Sequence, residues 1–173
     1  MPAVKTEVPD DAALNAGAKA LGRELVARGL RLAVAESCTG GWIAKTLTDV
    51  PGASDWFSAG FVTYSDEAKA RMLGVSPETL GEYGAVSEPV VREMIAGARD
   101  VTGAAVAIAV SGIAGPDSDL TEKPVGLVHF AFSLGDRSFA EHSLFRGDRE
   151  AVRRQAVAYA ITVMLRALES EKS

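Results

Sequence analysis

Leu14, Ala18, Leu21 and Leu25 are spaced by four, three and four residues, which places them on one helical face, and Gly29 supplies a stop. The first eleven residues are polar, contain two prolines and show no period, so 1–11 reads as a tail and 12–173 as one domain. A short buried strand follows at Leu32 to Ala35, then a glycine-rich turn, then a second short helix starting with Ile43 and Leu47. After Pro51-Gly52 the run Trp56 to Tyr64 is β-rich, with Phe61 to Tyr64 as its strand. Helical spacing returns at Ala68 and Met72. Ser76-Pro77 and Ser87-Glu88-Pro89 each read as a helix start, the second leading a longer helix with Val90, Val91, Met94, Ile95 and Ala98 inside.

The run Ala104 to Val110 is too short for an ordinary helix and too apolar for a half-exposed strand, so it predicts a central strand buried on both faces. Leu127 to Leu134 and Ser138 to Phe145 predict a hairpin around Gly135-Asp136-Arg137. Asp148 caps a last helix with Val152, Ala156, Tyr159 and Val163 on one face. Strands alternating with helices, plus one direct antiparallel connection, predict an α/β protein: a three-layer α/β/α sandwich around a mixed, mostly parallel sheet with an antiparallel hairpin.

Composition narrows the function classes. A net charge of −5 argues against nucleic-acid binding, which needs clustered cations, and confines any phosphate site to a local patch. The longest strongly apolar stretch falls far short of a membrane span, and the acidic N-terminus lacks the features of a signal peptide, so a cytoplasmic location is expected. The single cysteine, Cys38, has no partner for an internal disulfide. His129 and His142 lie in the hairpin, read as away from the glycine-rich turns, and no zinc-ligand spacing accompanies them, so no metal and no cofactor are expected.

Two apolar strands each run into a hydroxyl- and glycine-rich loop: Ser37-Cys38-Thr39-Gly40-Gly41 after the first, and Ser111-Gly112-Ile113-Ala114-Gly115 after the central one. Ligands of open α/β sheets bind outside the carboxyl ends of the strands, which predicts one crevice shared by both loops. Ser37, Cys38 and Thr39 are all possible nucleophiles. Each needs a base, and a desolvated lysine is one, so Lys69, one turn into the helix after Tyr64, is a candidate that reaches the mouth of the first loop together with Tyr64. Arg149 and Arg153, four apart at the start of the last helix, share a face suited to an anion or to solvent.

Six stretches carry a family resemblance: AESCTGGWIAKTLTDVPGAS, FVTYSDEAK, GAVSEPVV, SGIAGP, KPVGLVHFAF and GDREAVRRQAV. Together they resemble the C-terminal deamidase domain of the CinA (competence/damage-inducible) family, which also exists as a stand-alone nicotinamide mononucleotide deamidase. The resemblance implies hydrolysis of the nicotinamide amide of nicotinamide mononucleotide without a metal, in a homodimer. It implies Ser37 as nucleophile and Tyr64 with Lys69 as its activating pair. The substrate would be held by Thr39, Gly40, Gly41, Ser111, Gly112, Ala114, Gly115, Arg149 and Arg153. One departure is the polar run Asp117 to Glu122, where many relatives have glycines. The alternative from another class is a non-catalytic nucleotide-binding regulatory module built on the same loops.

Overall fold

The computed structural model describes residues 7–118 and 122–172. Five strands, β1 (Leu32–Glu36), β2 (Phe57–Val62), β3 (Val106–Gly112), β4 (Leu127–Leu134) and β5 (Arg137–Leu144), form one sheet in the order β2-β1-β3-β4-β5. β2, β1 and β3 are parallel, while β4 is antiparallel to both β3 and β5. Only β4 therefore runs against the rest, so the expected mixed, mostly parallel sheet with a hairpin is present.

Side chains alternate across the sheet, and their size alternates too. Leu32, Val34, Val106, Ile108, Val110, Val128, Phe130 and Phe132 face a layer made of α1 (Asp11–Ala27), α2 (Trp42–Thr48) and α6 (Arg149–Ser170). Ala33, Ala35, Ala107, Ala109 and Ala131 face the opposite layer of α3 (Asp66–Leu73), α4 (Pro77–Tyr83) and α5 (Glu88–Thr102). The alanine face lets α5 lie close to the sheet. β3 is buried on both faces up to its last residue, as its sequence predicts.

Several boundaries differ from the sequence reading, three of them with a visible physical reason. Asp10 caps α1 by accepting the Ala13 N–H at 2.8 Å, and Asp11 is already helical and paired with Arg154 of α6, so α1 begins inside the segment read as a tail. Residues 1–6 lie outside those described. β2 starts at Phe57 and ends at Val62, so Thr63 and Tyr64 form the turn into α3 rather than a strand, although the Thr63 N–H still reaches Glu36 O at 2.8 Å. The hairpin turn is the two residues Gly135-Asp136, with Arg137 already in β5.

Candidate active site

β1 and β3 end side by side, and the Ser37 N–H bonds Val110 O at 3.0 Å, which brings the two glycine-rich loops together as expected. The first loop turns sharply into α2 through Gly40 and Gly41, with φ of +59° and +94°, a conformation that side-chain-bearing residues rarely adopt. Under the turn, the carboxylate of Glu36 is fully buried and accepts the N–H groups of Ile43 at 2.8 Å and Ala44 at 3.0 Å. Burial pushes its pKa up, and these first-turn N–H groups of α2 oppose the shift. Glu36 thus anchors the helix start to the strand, a role the sequence reading missed; a lone acid ending an apolar strand was the available signal.

Lys69 is fully buried, and Ser37 nearly so. The Lys69 Nζ lies 3.0 Å from Ser37 Oγ, 2.8 Å from Thr63 O and 3.4 Å from Tyr64 O. Burial lowers the lysine pKa, which favours the neutral amine. A neutral amine has two N–H bonds and one lone pair. Carbonyls can only accept, so in the neutral amine Thr63 O and Tyr64 O would take the two N–H bonds and leave the lone pair to face Ser37 Oγ. The turn into α3 therefore fixes where the Lys69 amine sits relative to Ser37. Cys38, by contrast, has its thiol pushed up to about 12 by burial and by the nearby Glu36, which favours the protonated thiol.

The structure joins Ser37 and Lys69 directly and sends Tyr64 elsewhere. The Tyr64 side chain is exposed, and its hydroxyl accepts from Arg149 Nη2 at 2.9 Å. Arg149 Nη1 donates to Gly115 O at 2.6 Å, so this arginine ties Tyr64 to the second loop. Arg153 does something different. Its Nε donates to Cys38 O at 3.0 Å and its Nη2 to Thr39 O at 3.1 Å, while its guanidinium lies 5.3 Å over the Trp42 ring. The Arg153 fork thus ties the start of α6 to the first glycine-rich loop by two carbonyls.

The N–H groups of that loop can be accounted for one by one. Ser37 donates to Val110 O, Gly40 to Ser37 O and Trp42 to Thr39 O, each at 3.0 Å, and the N–H of Gly41 supports the Glu36 carboxylate. Those of Cys38 and Thr39 bond no other described residue. Thr39 itself is buried. In the second loop Ser111 and Ala114 are buried, and Gly112 sits where a Cβ would meet Leu127 O at 2.9 Å. Ile113 exchanges backbone bonds with the start of β4, donating to Leu127 O and accepting from Gly126 N. His129 is paired in register with Ser111 and stands next to His142, so it lies closer to this loop than the sequence suggested. Of the polar run after Pro116, residues 119–121 lie outside those described.

Comparison with known proteins gives the same answer by sequence and by fold. The CinA C-terminal domain family matches residues 14–168. The nicotinamide-nucleotide amidohydrolase PncC of Escherichia coli K12 is 55% identical over 145 residues, 83% of this chain and 88% of the relative. The protein of the same name from Pseudomonas putida is 51% identical, over 84% of this chain and 91% of its own. A crystal structure of the competence damage-inducible protein A from Klebsiella pneumoniae superposes with a TM-score of 0.89 at 40% identity, covering 90% of this chain and 97% of that one. The chain belongs to the CinA C-terminal domain family.

Proposed function

We propose that this chain is an amidohydrolase that converts nicotinamide mononucleotide to nicotinic acid mononucleotide and ammonia. The observation that carries the reading is the buried Lys69 amine aimed at Ser37 Oγ by two carbonyls. Two relatives that match most of this chain carry the name nicotinamide-nucleotide amidohydrolase, which supports the substrate. Ser37 Oγ attacks the carboxamide carbon while Lys69 takes its proton directly, without passage through Tyr64. The tetrahedral oxyanion is met by the N–H groups of Cys38 and Thr39, and Arg153 steadies them by holding the carbonyls of the two peptides that flank Thr39. Gly40 cannot serve, because its N–H is already bonded to Ser37 O. Lys69 then returns the proton to the leaving ammonia. Water attacks the acyl-enzyme with Lys69 again as base, and Ser37 is regenerated.

The substrate phosphate is remote from the amide and needs a fixed cation. Arg149, exposed beside Gly115 and Tyr64, is the residue for it, with the SGIAGP backbone. The test is to incubate the purified chain with nicotinamide mononucleotide and measure ammonia and nicotinic acid mononucleotide. Turnover is expected from the native chain, with a loss of about 10⁴-fold or more in Ser37→Ala at an unchanged melting temperature. Tight binding of the mononucleotide with no ammonia released would instead make the chain a nucleotide-binding module.

A further inference from the structure

One buried hydroxyl beside the Ser37–Lys69 pair has no work in the acylation step. Among the described residues, the side-chain oxygens of Thr39, Thr63 and Ser133 are buried without a hydrogen-bond partner. Ser133 lies opposite Ala107, toward the far end of β3. Thr39 stands beside the Glu36 carboxylate, a ready acceptor for its proton. Thr63 is fully buried, and both of its backbone groups are spent: the N–H on Glu36 O at 2.8 Å, the carbonyl on the Lys69 amine at 2.8 Å. A hydroxyl taken out of water and left unbonded loses its hydration for nothing, so such a group in a native fold calls for a reason.

Where that hydroxyl sits follows from the sheet. Side chains alternate along a strand, and Ala35 and Phe61 lie on the alanine face, which α3 and α5 cover. Ser37 and Thr63 come two residues later in each chain segment. Glu36 is in register with Val62, and the bond from the Thr63 N–H to Glu36 O carries the pairing one residue further. Ser37 and Thr63 are therefore same-face neighbours on segments about 4.8 Å apart. Lys69 reaches the same place from α3, 3.0 Å from Ser37 Oγ.

We propose that Thr63 Oγ1 holds the water that hydrolyses the acyl-enzyme, an inference that rests on the amidase reading. In acylation Lys69 touches Ser37 Oγ directly and needs no help. In deacylation Ser37 Oγ is esterified, and the nucleophile is an untethered water that one hydrogen bond to Lys69 does not orient. The carbonyls of Thr63 and Tyr64 are occupied by the amine, which leaves the Thr63 hydroxyl as the second contact. It donates to one lone pair of the water oxygen while Lys69 takes a water proton and the other lone pair attacks the acyl carbon. The bond from carbon to the water oxygen forms, the bond from that carbon to Ser37 Oγ breaks, and the proton on Lys69 passes to the departing Oγ. Only water is consumed.

Rapid quench with nicotinamide mononucleotide, following ammonia and nicotinic acid mononucleotide separately, tests the step. Thr63→Val keeps the branched shape and removes the hydroxyl. It is expected to release ammonia at the native rate, to form the acid from the acyl-enzyme about tenfold or more slowly, and to accumulate chain esterified at Ser37, seen by intact mass. Because kcat/KM reports the steps up to ammonia release, it is expected to stay within about twofold of native. Thr63→Ser is expected to restore the native deacylation rate, and the melting temperature of Thr63→Val to be unchanged or higher, since an unbonded buried hydroxyl stabilises nothing. Equal slowing of both products, native rates of both in Thr63→Val, or no rescue by serine overturns this inference while native turnover keeps the amidase reading. A native chain that releases no ammonia overturns both.

Discussion

Lys69 and the two arginines show how one residue type takes different work from its surroundings. The amine must be neutral to accept the Ser37 proton, so kcat/KM falls about tenfold per pH unit once the pH drops below the Lys69 pKa. Burial sets that pKa below the usual lysine value of 10.5, and the alkaline plateau is therefore reached earlier than a solvated lysine would allow. A pH–rate profile checks this; activity that rises on acidification, or an inflection at the solvated value, contradicts it. Arg149 and Arg153 separate in the same assay. Arg149→Ala is expected to raise KM for the mononucleotide by about ten- to a hundredfold with kcat largely kept, because a remote phosphate is bound alike in ground and transition states. Arg153→Ala is expected to lower kcat by a similar factor with little change in KM, since the carbonyls of Cys38 and Thr39 lose the fork that aims the adjacent N–H groups. Arg153→Lys should not rescue, because one ammonium does not replace two donors in a fixed plane.

Among the elements, α3 carries Lys69 and is held by a close crossing with α5. A Cβ on Gly97 of α5 would lie 1.9 Å from Leu73 O, the carbonyl of the last α3 residue. Gly97→Ala must push the helices apart, at a cost of about 1–3 kcal/mol, which lowers the melting temperature by roughly 2–12 °C for a chain this size. Lys69 stands one turn before Leu73, so the same change is expected to reduce kcat at temperatures where the variant is still folded. Thermal unfolding followed beside a steady-state assay reads both; a stable and fully active variant would show that the crossing yields without moving α3. Nothing in the residue pattern announces this crossing, since one glycine in an otherwise regular helix has no periodicity to violate.

Across the whole molecule, what was legible depended on whether the cause was local. The β3 strand, the hairpin and the caps at Asp148 and Ser76 follow from runs, turns and spacing inside single segments, and all four are present. The two loops were legible as a site because glycine and hydroxyl residues mark them. The Lys69–Ser37 contact was legible only as reach, because the carbonyls that aim the amine belong to a turn read as strand. The Arg153 fork spans more than a hundred residues of chain, and nothing near Cys38 or Arg153 in the sequence announces it. The strand directions have a further consequence. β1 and β3 both point toward the site, so the turns that lead into them, around Gly29 and Gly103, lie at the opposite pole, where added Cβ atoms meet nothing within 4 Å. A surface tether or an inserted peptide placed at either turn would hold the molecule with its catalytic mouth facing away from the support, so an immobilised reactor or a split reporter can be built on this chain from its strand order alone.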